Sequence, residues 1–144
     1  MDKRNRKLRC TFGGLLVFCD SNNICIPNNA IRIINKINDN YPRSFMINGT
    51  LLDMIDKTEE KMYTLLPKDY PVFAIMEAVK NSVMYREYSI IDKIIEIVLT
   101  KNSVIIISPG QLVSKGNILG DMGYNKRNMW IYDKLISLDE GKRF

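Results

Sequence analysis

The apolar residues of this chain change their period twice, and that order constrains the fold more than any single motif. Residues 30–37 alternate. Ile31, Ile33, Asn35 and Ile37 fall on one side, and Arg32, Ile34 and Lys36 on the other, which predicts a strand. Asn38 to Arg43 is a turn, Ser44 to Asn48 a second short strand, and Gly49 breaks it. The period then lengthens. Thr50 suits a helix N-cap, and Leu51, Leu52, Met54, Ile55, Thr58, Met62, Leu65 and Leu66 keep helical spacing as far as Pro67. This Met and Leu stripe reads as core, with Asp53, Asp56, Lys57, Glu59, Glu60 and Lys61 mostly outside.

A second helix is expected from Tyr70 to Ser89. Pro71 fits a first turn, where the missing N–H costs nothing, and no Gly or Pro follows until Pro109. Val72, Phe73, Met76, Val79 and Val83 mark its apolar side. Glu77 and Asn81 stand one turn apart, so their side chains share a face, which Tyr85 and Tyr88 continue. A carboxylate beside a carboxamide can orient water and hold a hard cation such as Mg²⁺. The same pair also suits a solvated helix surface that needs no ligand.

Beyond Ser89 alternation returns. Ile95, Ile97 and Leu99 are set against Glu96, Val98 and Thr100, and Lys101-Asn102 turns the chain into Val104–Ile107, a β-hairpin. The return strand is apolar on both sides, so an interior place in the sheet is expected. It ends at Ser108-Pro109-Gly110, a corner that presents backbone N–H groups where ligands of α/β sheets sit; an ordinary turn reads the same way. Residues 111–124 carry Gly116, Gly120 and Gly123 and read as a loop, suited to a lid or to no function. Asn125 to Asn128 opens a last helix with Met129, Ile131, Tyr132, Leu135 and Ile136 for burial. Before the first strand, Thr11 caps a short helix that buries Leu15, Leu16 and Phe18.

Composition narrows the chemistry. The chain has no His, which removes His-dependent triads and acid–base pairs, and its three Cys form no CxxC. Neither a P-loop nor a GxGxxG fingerprint is present. No apolar run approaches a membrane span, and the start lacks an apolar signal core, so a cytoplasmic protein with reduced thiols and no membrane contact is expected. The net charge of +5 is concentrated at the start, where Lys3, Arg4, Arg6, Lys7 and Arg9 stand against Asp2. Residues 1–10 therefore read as a basic arm, suited to DNA phosphates or simply to solvation, and residues 11–144 as one domain.

Several spaced motifs together resemble a known family. They are Tyr70-Pro71, Ala74 to Ser82 with Glu77 and Asn81, Tyr85-Arg86-Glu87-Tyr88-Ser89, Ile107-Ser108-Pro109-Gly110-Gln111-Leu112, Lys126-Arg127-Asn128 and Glu140-Gly141. Gly13 to Phe18 and Asn48 to Leu52 add to them. The series resembles the C-terminal domain of the so-called RecG-like helicases and transcriptional regulators, a divergent branch of the histidine-kinase-type (GHKL) ATPase fold, over Thr11 to Gly141. The resemblance implies an α+β two-layer sandwich with helices on one face of a mixed β-sheet. It implies Glu77 as the general base for water, Asn81 as the Mg²⁺ ligand, and Ser108, Gly110, Arg127 and Asn128 as further contacts to ATP. The chain departs from the family at Ser108, where relatives carry an adenine-reading Asp. Tyr85, Glu87 and Leu112 stand in place of His, Asp and Gly. The family's closing strands and its preceding DNA-binding domain have no counterpart in these residues, so the sheet is expected to be truncated.

Two functions stay open on this reading. One is a domain of a transcriptional regulator that binds ATP with weak or no hydrolysis. The other is a regulatory module without catalysis that forms homodimers or contacts DNA or protein. A helicase motor is the least expected reading, because no P-loop is present and two motor domains need more than these 144 residues.

Overall fold

The computed structural model describes residues 9–111 and 128–139. Most of the basic arm, the Gly-rich stretch with Leu112 and Arg127, and Glu140-Gly141 lie outside the described residues.

Among the described residues four strands form one mixed sheet: β1 (Ile31–Asn35), β2 (Ser44–Ile47), β3 (Ile95–Leu99) and β4 (Val104–Ile107), in the order β2-β1-β3-β4. β1 pairs antiparallel with β2, and β3 with β4, while β1 and β3 run parallel down the middle. A parallel pair needs a long crossover. It is supplied by α2 (Leu51–Leu65) and α3 (Val72–Met84), which follow α1 (Phe12–Phe18) and precede α4 (Met129–Leu138). The architecture is α+β. Alternate residues of the central strands, Ile31, Ile33, Ile95, Ile97 and Leu99, form one core with Leu16, Met54, Ile55, Met62, Val79, Val83, Ile131 and Leu135. No described helix is long and apolar enough to cross a membrane, and the three cysteines are free.

The caps follow the sequence. Thr11 Oγ1 accepts the Gly14 N–H at 3.0 Å, and Thr50 Oγ1 accepts the Asp53 N–H at 3.2 Å. Buried asparagines hold the loops. Asn22 donates to the Leu15 and Gly49 carbonyls, and Asn29 donates to Asn22 Oδ1 and to the same Gly49 carbonyl. Asn35 donates to the Asn38 and Pro42 carbonyls and accepts from the Ile37 and Asn38 N–H groups, closing the β1–β2 turn.

Four expectations are corrected. Phe18, expected in the core, is 65% exposed at the end of α1, which buries Gly13, Leu16 and Val17 instead. Among the described residues β4 is an edge strand, because the parallel pairing of β1 with β3 takes the middle of the sheet. Its Val104 and Ile106 turn toward the helices, while Ile105 and Ile107 stand exposed. Phe73 is 80% exposed rather than part of the apolar side of α3. Four residues before Glu77, it lies on the outward line of the helix. Lastly, α3 stops at Met84, short of Ser89, with Pro71 at its N-cap. Tyr88 is buried past the helix end instead of continuing the Glu77–Asn81 face.

Candidate functional site

Helix ends leave carbonyls without intrahelical partners. At the end of α3 three side chains from outside the helix supply the missing donors. Ser108 Oγ donates to the Ser82 carbonyl at 2.8 Å, Tyr88 Oη to that of Val83 at 3.0 Å, and Asn128 Nδ2 to that of Met84 at 3.0 Å. Asn128 Nδ2 also reaches the Arg86 carbonyl at 2.8 Å. The Glu87 N–H donates to the Pro109 carbonyl at 2.8 Å. The Ser108–Gly110 corner, the end of α3 and the start of α4 therefore meet at one place. Asn128 sits there in the left-handed region, φ 61° and ψ 40°, which asparagine tolerates better than most residues.

Arg86 is fully buried beneath this junction. Its guanidinium lies 5.1 Å over the Tyr88 ring, and Nη2 donates to the Lys93 carbonyl at 2.8 Å. Nε and Nη1 have no hydrogen-bond partner among the described residues. Burial lowers the Arg86 pKa, with the Coulomb interaction with Tyr88 working the other way. Burial also pushes the Tyr88 phenol well above its usual range, against the opposing pull of Arg86. The raised phenol sets a pH dependence. An unfolded tyrosine loses its proton near pH ~10, whereas folded Tyr88 keeps it. The stabilisation is whole below that pH and declines as pH rises above it. Tyr88→Phe is expected to flatten this decline in urea midpoints measured from pH 8 to 11. At neutral pH it costs about 1 kcal/mol, because the Val83 carbonyl loses its donor.

Glu77 and Asn81 are placed differently. Both are exposed, on a line of α3 that runs Phe73, Glu77, Asn81, Tyr85 in steps of four. The Glu77 carboxylate lies 3.7 Å from the ammonium of Lys80, whose side chain is buried. A cleft of about 420 Å³ opens on the opposite side of the sheet. It is lined by Arg32, Asp92, Lys93 and Glu96, together with Ile107 and the Ser108–Gly110 corner among others. Gly110, with φ 122°, is on its rim. Glu77 and Asn81 are not among its lining residues. The structure thus brings Ser108 together with Asn128 at the end of α3, and Ser108 with Gly110 at the cleft. It leaves the Glu77–Asn81 pair on a separate surface.

A nucleotide-bound Mg²⁺ needs few protein oxygens, since waters and phosphates complete its shell. Asn81 Oδ1 and the Glu77 carboxylate are the donors that the line offers one turn apart, with the Lys80 charge 3.7 Å from the Glu77 carboxylate. Among the described residues no group of three or more Cys, Asp or Glu could hold a metal ion.

The cleft charges Arg32 and Glu96 were not singled out from the sequence. Both stand on outward positions of alternating strands with opposite signs, and that was the available signal. Their partnership, 2.9 Å from Arg32 Nη2 to Glu96 Oε1, depends on the parallel register of β1 and β3. Arg86 stands in the motif Tyr85-Arg86-Glu87-Tyr88-Ser89, but nothing in its local spacing marks it for burial. No family model, curated protein or solved structure matches the chain.

Proposed function

We propose that this chain is a divergent domain of the histidine-kinase-ATPase kind, from a RecG-like transcriptional regulator, that works as a binding and assembly module without ATP hydrolysis. One observation carries this reading. Two side chains that the motif resemblance hands to ATP, those of Ser108 and Asn128, donate instead to the carbonyl end of α3. A group held in that way serves the fold, and its release for a ligand would reopen the helix end. Most of the net +5 is gathered in the first residues, where five cations stand against Asp2, and this suits DNA phosphate as a partner for the arm.

The competing reading is an ATP·Mg²⁺ site on the outer line of α3. It is favoured by the joint exposure of Glu77 and Asn81 one turn apart. Calorimetric titration with ATP and Mg²⁺ separates the two. The module reading expects no heat and no rise in Tm at millimolar nucleotide. A binding isotherm that Asn81→Ala abolishes would establish the nucleotide site and end the module reading.

A further inference from the structure

The sheet has two faces, and the described residues cover only one. On the other face the strand registers align two rows. Met46, Arg32, Glu96 and Ile107 cross the four strands side by side, and Ser44, Ile34, Val98 and Ile105 form the next row. Uncovered faces of sheets are normally polar. Here Met46 and Ile107 are each 54% exposed and Ile105 is 48% exposed. Five of the eight side chains are apolar. The two charges are of opposite sign and stand next to each other on the central strands.

This arrangement is self-complementary. Consider a two-fold axis parallel to the strands, midway between β1 and β3, with the sheets about 10 Å apart as in a sandwich. The axis sets each row against its own reverse. Arg32 of one copy then faces Glu96 of the other, Met46 faces Ile107, and Ile34 faces Val98. Cation meets anion twice, with no like charges opposed, and apolar groups meet apolar groups around them, except that the small Ser44 faces Ile105. A chance partner would have to match both charges; a second copy does so by symmetry.

We propose that the open face of the sheet is a homodimer interface in which two copies stack face to face, with Arg32 and Glu96 paired across the axis. The proposal rests on the binding-module reading and names its partner. The area limits the strength. Four strands of four or five residues present a patch of about 19 by 15 Å. Even with the surrounding loops this falls below the ~800 Å² per partner of a standard stable interface. The dimer is therefore a weak one, dissociating in the micromolar range.

Sedimentation equilibrium of the full chain from about 1 to 500 μM tests it. A concentration-dependent dimer is expected, and Ile105→Lys, at a site already exposed in the monomer, should raise the dissociation constant at least tenfold. Arg32→Glu and Glu96→Arg should each weaken self-association, and an equimolar mixture of the two should form a heterodimer. That rescue between chains is something an ion pair serving only its own chain cannot produce. A monomer throughout the range, full dimerisation of Ile105→Lys, or no heterodimer in the mixture overturns the proposal. So does unfolding of Ile105→Lys as a monomer, which would mean that the chain's own remaining residues cover this face. Parallel runs with ATP and Mg²⁺ keep the two questions apart. Loss of the dimer without nucleotide binding removes only this surface, whereas nucleotide binding that depends on Asn81 removes the module reading itself.

Discussion

Asn128→Ala is expected to lower the unfolding free energy by about 3 kcal/mol. Two hydrogen bonds vanish, to the carbonyls of Met84 and Arg86. Each is worth about 1 kcal/mol. Alanine must also hold a left-handed backbone at φ 61°, at a further cost of about 1 kcal/mol. Asn128→Gly separates the contributions, since glycine accepts that backbone freely and loses only the two bonds. It should cost about 2 kcal/mol. Urea unfolding followed by circular dichroism measures both. If Asn128 instead served a bound nucleotide, Asn128→Ala would leave stability nearly unchanged and act on ATP affinity alone.

Gly13→Ala should be nearly as damaging, and it acts on the same helix. A Cβ built at Gly13 lies 1.4 Å from Cη2 and 1.7 Å from Cζ2 of Trp130, well inside contact distance. The indole must leave its seat on α1 or α4 must shift. Overpacking of this kind costs about 1–3 kcal/mol, and displacement of half of a tryptophan's buried area puts this case at the upper end. The readout is direct, because Trp130 is the sole tryptophan of the chain. Its emission should move to longer wavelength while the helical signal of α2 and α3 remains. Both variants loosen α4 from one body, so the double variant should cost less than the two single values added together.

Much of the frame was legible in the sequence because it depends on local rules. Thr11 and Thr50 cap where their spacing indicates, and the alternation at Ile31, Ile33 and Asn35 buries that side of β1. The hairpin from Ile95 to Ile107 turns at Lys101-Asn102. What could not be read locally is what distant segments do to one another. The place of β4 at the rim follows from β1 pairing with β3, and no pattern within Val104–Ile107 encodes that. The end of α3 is likewise set from outside, by Ser108 and Asn128 reaching its carbonyls. The candidate site suffered most from this. Glu77 and Asn81 share a face, as their spacing requires, but which way that face points is decided by the packing of Met76, Val79 and Val83 on the opposite side.

The parallel register that joins Ile31 to Ile95 also bears on how the molecule is made. On the ribosome β1 emerges long before its central neighbour. At synthesis rates of about 5–20 residues per second, the nascent chain waits about 3–13 s between the two. Through that interval Ile31 and Ile33 have α1, β2 and the growing α2 and α3 to shelter them, but not their central neighbour in the sheet. The unfinished polypeptide is thus most open to chaperone capture or misassembly while α2 and α3 are being translated, and that exposure ends once β3 docks against β1.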